Sequence, residues 1–405
     1  MDVVFLSPGY PPEMPNYVRG LAQVGARVWG VGDSPERSLP VITRRALTGY
    51  LQVPRIMDEG DVIQRVKAWL GGRRPDRIEA MWEPMVLLAA RMREELGVPG
   101  MSHDTVLGFR DKQLMKERIA AAGLRVPYSA RVRTEEETLA AAKSFGFPLI
   151  IKPIAGAGSA DTYRVDDAAQ LHDVLQKTRH VPEVSVEEFV DGEEFTYDTV
   201  CIDGKPVYEN VAQYLPRPLI ARQNHWVSPI ICTVRDLAQP KLRDGIELGR
   251  KVLGALGMGT GFTHMEWYLK SNGEVVFGEI GCRPGGAHLV DQMNFTSDID
   301  LFREWARSVC WKSFEADTTR RHNTAIIFKR AQGEGTIHRR EGVEAFHRRF
   351  GSTVVWDNLL PVGARRRNWK QTLVSDGFLM VRHPRWDAAL QIARAAATDV
   401  TLYAR

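Results

Sequence analysis

The stretch THMEWYLKSNGEVVFGEIG, residues 263–281, contains two glutamates whose types and spacing could hold a metal ion. Runs of apolar and β-forming residues flank Asn272-Gly273, the dipeptide favoured in a two-residue type I′ hairpin turn. With those two residues as the loop, Ser271 pairs with Glu274, and counting outward sets Glu266 opposite Glu279. On an exposed sheet face, facing like charges cost about 1 kcal/mol or less. Here both stand among apolar neighbours, Met265 and Trp267 on one strand, Gly278 and Ile280 on the other. A carboxylate in such surroundings needs a compensating partner, and hard oxygen donors facing each other suit Mg2+. His264 and Gly281 continue the same face. The following tract, CRPGGAH, sets Arg283 four residues beyond Glu279, where a guanidinium could clamp a carboxylate or phosphate or make an ordinary surface ion pair. Gly285 and Gly286 would let an anionic group approach closely.

Two further stretches carry chemistry. In IIKPIAGAGSADTYRV, 150–165, the lysine precedes the glycines and no GK[ST] closes the run, so it is not a P-loop. The GxG of Gly156 and Gly158 lacks the third glycine of a dinucleotide fingerprint. What remains is either an ordinary glycine-rich turn or a loop whose backbone N–H groups wrap phosphates, with Lys152 as a point charge beside it. In VEEFVDGEEF, 186–195, Glu187, Glu188, Glu193 and Glu194 crowd a turn at Asp191-Gly192. They read as a solvated face or as acceptors for an exocyclic amine and ribose hydroxyls.

The elements that must position these residues follow from periodicity. Up to about residue 105, short apolar runs (VVFLS at 3–7, Val28 to Val31, IEAMW at 78–82) alternate with amphipathic helices (around Tyr17 to Val24, Val62 to Leu70, and MVLLAARMREEL ending at Gly97). That alternation argues for a parallel sheet covered on both sides. Two helices then lead into the buried strand PLIIKP. Past the glycine-rich stretch come YRV, a helix near 167–177, a strand at 184–190 and a hairpin at Asp203-Gly204. An irregular stretch from about 214 to 238 and the helix PKLRDGIELGRKVLGAL precede the glutamate hairpin. After Cys310 an antiparallel region begins with TAIIFKR and ends with a helix at 386–397 and the strand VTLYA.

Composition narrows the class. With 405 residues, 44% of them hydrophobic, the chain can fill two or three cores. No apolar run reaches membrane-spanning length, and the start, MDVVFLSPGYPP, lacks the pattern of a signal peptide, so a cytoplasmic location is expected. Cys201, Cys232, Cys282 and Cys310 are widely spaced, which supports neither a disulfide framework nor a zinc site. From Arg320 onward 16 Lys and Arg stand against 7 Asp and Glu, leaving the preceding part at −5 within a total of +4. No recognised nucleic-acid motif accompanies this surplus, and it reads as a solvated basic face.

In their order and spacing these elements resemble the ATP-grasp superfamily, in its carboxylate–amine ligase branch with biotin carboxylase, carbamoyl-phosphate synthetase and D-alanine–D-alanine ligase. The resemblance covers most of the chain. It implies an α/β and α+β architecture: an N-terminal parallel α/β domain at 1–105, a two-lobed nucleotide-binding domain at 106–318 with its lid lobe at about 125–190, and a small C-terminal α+β domain at 319–405. Residue by residue, it implies that Lys112, in FRDK, and Lys152 contact ATP phosphates beneath the loop from Gly156 to Ser159. Glu187 would meet the adenine amine, the backbone from Glu188 to Val190 would read the ring edge, and Glu194 would hold the ribose. Glu266 and Glu279 would bind one or two Mg2+ ions, with Mn2+ as a substitute, and Arg283 would stand beside an acyl phosphate. One departure is Gly281, where many relatives carry an Asn metal ligand; water, the Cys282 backbone or another side chain would complete the shell, or one ion would bind more weakly.

The implied reaction is ATP-dependent amide formation: a carboxylate attacks the γ-phosphate, and an amine then displaces phosphate from the acyl phosphate. The same apparatus could instead phosphorylate a hydroxyl, use carbonate and a ring nitrogen, or serve as a non-catalytic nucleotide-binding module. Arg217, Arg222 and His225, in the irregular stretch, and His264 are candidate substrate contacts. The arginines favour an anionic group, which points to an amino acid or small carboxylate. The expected partners are small-molecule carboxylates and amines, not membrane or nucleic acid, and relatives are commonly homodimers.

Overall fold

The computed structural model describes residues 1–154, 162–369, 371–372 and 374–405. The N-terminal strands form the expected all-parallel sheet, in the order Leu47–Gln52, Arg27–Gly32, Asp2–Leu6, Arg77–Glu79. Period-two alternation explains its two covered faces. Val3 and Phe5 pack with the helix Met14–Gln23, whereas Val4 and Leu6 pack with Glu59–Leu70 and Val86–Leu96. The first face is closed by the much later helix Leu301–Trp311, through Phe302 and Trp305.

The stretch expected as the lid holds a four-stranded antiparallel sheet in the order Ser129–Val132, Val184–Glu188, Leu149–Pro153, Tyr163–Val165. Helices Glu135–Phe145 and Ala168–Thr178 supply apolar faces to its core. The first of these begins at a capping box between Thr134 and Glu137.

The glutamate hairpin forms one edge of an eight-stranded antiparallel sheet. Its order is Val275–Gly281, Gly261–Leu269, Glu193–Ile202, Lys205–Leu215, Ile230–Thr233, Asn323–Phe328, Phe378–His383, Val354–Asp357. One expectation changes here. The stretch 214–238 is not irregular throughout: it holds the short helix Pro218–Gln223 and the fully buried strand Ile230–Thr233, which pairs with both Lys205–Leu215 and Asn323–Phe328. Three strands of the segment 319–405 continue this central sheet. A small three-stranded sheet of Gln332–Gly333, Thr401–Ala404 and Ile337–Glu341 belongs to that segment alone. Among the described residues no helix is long and apolar enough to cross a membrane. The four cysteines are buried and free.

Candidate active site

Glu266 and Glu279 are cross-strand partners, as the sequence predicts, but by a different route. The hairpin turn is not a two-residue loop. The Gly273 N–H donates to the Lys270 carbonyl (2.9 Å), the Lys270 N–H donates to the Glu274 carbonyl (2.9 Å), and Gly273 is left-handed at φ 86°. The loop is therefore three residues long, Ser271 to Gly273. Leu269 consequently faces Val275 and Trp267 faces Phe277, one position off the predicted register. A bulge between Glu266 and Trp267 then absorbs Gly278 and restores the pairing of Glu266 with Glu279 and of His264 with Gly281. Glycine is required at the bulge, because a Cβ at 278 would lie 2.8 Å from the Glu266 carbonyl oxygen.

Two lysines from different elements converge on Glu279. Lys112, at the first turn of the helix Lys112–Ala121, sets its Nζ 3.1 Å from one carboxylate oxygen; Lys152, near the end of the lid strand Leu149–Pro153, lies 4.0 Å from the other. Asp111 fixes the start of that helix by accepting the N–H groups of Gln113 and Leu114, and it pairs with Arg131 of the lid. Glu266 accepts the Tyr214 hydroxyl at 3.0 Å, and His264 Nε2 is 3.8 Å away. His264 is itself held at Nδ1 by Asp198, at 2.5 Å. Burial alone would lower the imidazole, but Asp198 and Glu266 outweigh it and raise it to about 9.

Glu187, expected to meet the adenine amine, is buried and spends its carboxylate within the protein. It accepts from Lys116 and from the Ser185 hydroxyl (2.7 Å), and Lys152 Nζ is 3.0 Å away. Burial would raise this carboxyl, yet the two ammonium groups hold it at about 2. Lys116 moves the other way, down to about 8, since its burial outweighs a carboxylate that it shares with Lys152. The sequence reading passed over Lys116. Its spacing of one helical turn from Lys112 was the available signal.

Glu188 accepts from Arg125 at both carboxylate oxygens, at 2.8 and 2.9 Å, while Val190 is buried. Glu194 is buried and receives Arg217 Nε at 3.1 Å. Its burial and the neighbouring Glu266 charge raise it to about 7 against the pull of Arg217 and Lys152. The Arg217 guanidinium lies about 5 Å from the rings of both Phe189 and Tyr268. His225 meets the C-terminal segment instead, bonding to Arg366 at 3.0 Å beside Trp369, and Arg222 lies in the short helix whose end is capped by Arg330. Gly285 admits His264 and Leu289 within 3.0 Å of where a Cβ would stand, and the Gly286 carbonyl starts the helix Leu289–Ser297. Gly156, Gly158 and Ser159 lie outside the described residues.

Among the described residues no group of three or more His, Cys, Asp or Glu gathers as a metal cage. Two opposed carboxylates nonetheless fit Mg2+, which keeps several waters and is commonly held by one or two carboxylates together with substrate phosphates. At Gly281 a side chain would come within 3.5 Å of Glu83 Oε2 and of Arg283 Cγ. Glu83, from the N-terminal domain, binds Arg283 and Arg110.

A lid sheet set against a core sheet, with two lysines and two opposed glutamates where they meet, is the arrangement of the ATP-grasp fold. Residues 145–291 match the family model of the ATP-grasp domain, and the chain carries that domain and has the ATP-grasp fold. It is similar to an L-arginine-specific L-amino acid ligase of Bacillus subtilis, 26% identical over 234 residues that make up 56% of each chain. The chain thus spans about half the length of that relative. In structure it is similar to an L-amino acid ligase from Bacillus licheniformis, with a TM-score of 0.81 at 19% identity, covering 100% of this chain and 98% of the other. The biotin carboxylase domain of Hydrogenobacter thermophilus 2-oxoglutarate carboxylase, a dimer in complex with MgADP and bicarbonate, matches with a TM-score of 0.70 at 15% identity over 99% of this chain and 91% of that one.

Proposed function

We propose that the protein is an ATP-dependent ligase that joins a carboxylate to an amine through an acyl phosphate, with amino acids as the first substrate class to test. The observation that carries this reading is the convergence of Lys112 and Lys152 on Glu279, directly across the hairpin from Glu266. An arrangement of two cations and two hard-oxygen donors suits the terminal phosphates of ATP better than a neutral ligand. Similarity to L-amino acid ligases in both sequence and fold supports the amide-forming reading over phosphorylation of a hydroxyl.

In this reading Glu266 and Glu279 would hold Mg2+, which would supply charge shielding for the transferring phosphoryl group. Lys112 and Lys152 bind the phosphate oxygens; Lys152 stays an ammonium because Glu187 and Glu279 outweigh its burial. The substrate carboxylate attacks the γ-phosphorus and ADP leaves. Arg283 then faces the acyl phosphate while the amine adds to its carbonyl, phosphate departs and the amine gives up a proton. Glu187 serves here as the anchor of Lys116 and Lys152, and Glu194 as the acceptor for ribose hydroxyls. The lid sheet excludes water from an intermediate that hydrolyses easily.

The test is a panel of carboxylates crossed with amines, beginning with L-amino acids, scored by ADP release and product mass. Amino-acid-dependent ADP release with a product one water lighter than its two substrates is expected. A phosphorylated hydroxyl, a carboxylated nitrogen, or no substrate-dependent ADP would overturn the ligase reading.

A further inference from the structure

Glu83 opens the turn Glu83–Met85, just beyond the C-terminal end of the strand Arg77–Glu79, the end at which parallel sheets present ligand sites. Its side chain is only 14% exposed, and one oxygen is taken by each of two guanidiniums: Arg110 NH1 binds Oε1 and Arg283 Nε binds Oε2. Arg110 stands two residues before Lys112, and Arg283 four residues after Glu279. A single carboxylate from the N-terminal domain therefore ties together the two tracts that carry the lysine and the glutamate of the site.

With one guanidinium on each oxygen, the Glu83 carboxylate is charge-compensated within the protein. Arg283, by contrast, uses only two of its five N–H donors in its described hydrogen bonds, to Glu83 and to the Pro284 carbonyl at 2.7 Å. Resting on the ligase reading above, we infer that Glu83 is a positioning residue: it fixes the plane of the Arg283 guanidinium, so that the remaining N–H groups of Arg283 meet the acyl phosphate.

The full-length protein is assayed for ADP release with MgATP and an equimolar mixture of the proteinogenic L-amino acids as the probe. Glu83→Gln keeps the shape but turns an N–H group toward one of the two arginines. It is expected to lower the amino-acid-dependent kcat about 10²-fold, as for a misplaced positioning group, with KM for ATP within about twofold of wild type. Combined with Arg283→Ala, it should be no slower than Arg283→Ala alone, because both remove one function. Multiplying losses in the double variant, or a wild-type rate in Glu83→Gln, would overturn the inference. A second readout needs no turnover: the Arg283 Nε–H resonance, identified by its disappearance in Arg283→Lys, should be protected from solvent exchange in wild type and exposed in Glu83→Gln. Unchanged protection refutes the positioning role. If the wild type releases no amino-acid-dependent ADP, the ligase reading fails, and the resonance comparison alone decides whether Glu83 holds Arg283.

Discussion

Replacing Gly278 by alanine tests whether one bulge sets the whole site. The new Cβ would sit 2.8 Å from the Glu266 carbonyl oxygen, 3.2 Å from its carbon and 3.2 Å from Tyr268 Cε2. The shortest contact is roughly 0.6 Å inside the 3.4 Å at which ordinary contact begins, and its partner is a ladder carbonyl, not the yielding tip of a side chain. Either the two strands part locally, costing about 1–3 kcal/mol as in other overpacked sites, or the bulge is expelled. In the second case the register of the three-residue loop runs on unbroken, Glu279 comes opposite Met265, and its side chain turns to the other face of the sheet. Both outcomes take Glu279 away from Lys112, now 3.1 Å distant. Calorimetric titration with ADP at several Mg2+ concentrations, beside urea denaturation, should show at least about a tenfold loss of Mg2+-dependent affinity, or 1.4 kcal/mol. Gly273→Asn is the control. Gly273 is left-handed but has nothing within 4 Å of a Cβ, and asparagine tolerates that conformation, so affinity should hold. Wild-type affinity and stability in Gly278→Ala would refute the claim that the bulge aims Glu279.

Other consequences are sharper in one variable each. Glu279→Gln should abolish most turnover while circular dichroism and the urea midpoint stay near wild type; a near-normal rate of ADP formation contradicts the metal assignment. Burial would raise the Glu83 carboxyl, but Arg283 and Arg110 hold it at about 2 against an ordinary 4.5. A depressed carboxyl stabilises the fold fully above its unfolded value, here by up to about 3 kcal/mol, and loses that effect as pH falls from 4.5 toward 2. The urea-midpoint gap between wild type and Glu83→Gln should therefore be widest at neutral pH and narrow below pH 4.5; a gap independent of pH counts against the pairing. Lys116→Met removes one of the two ammonium partners of a buried carboxylate, at roughly 3 kcal/mol, and unties the helix from the lid strand. Hydrogen exchange in the lid, 125–190, should quicken; unchanged exchange would mean that Lys152 alone holds Glu187.

Much of the fold was legible because it rests on short-range signals. Period-two and helical alternation up to residue 105 marked the parallel sheet, and the Asp203-Gly204 turn, with φ of 49° and 79°, joins the hairpin strands Glu193–Ile202 and Lys205–Leu215 where expected. The strand Ile230–Thr233 was not legible: four residues, three of them apolar, carry little periodicity, and their partner Asn323–Phe328 comes some ninety residues later. The pairing of Glu266 with Glu279 survived two compensating departures, a longer turn and a bulge. An isolated glycine inside a strand pattern, Gly278, was the visible sign of the second.

By itself the amino-acid sequence determined which groups are available and which lie close along the chain: the lysine before its glycines, the glutamate pair on one hairpin, the arginine just past it. Tertiary structure decided what each of these groups touches. Lys116 reaches Glu187 across 71 positions and Glu83 reaches Arg283 across 200. Such pairs leave no local pattern, because an ion pair is selected by burial and distance in the folded chain, and neither exists until the sheets have packed.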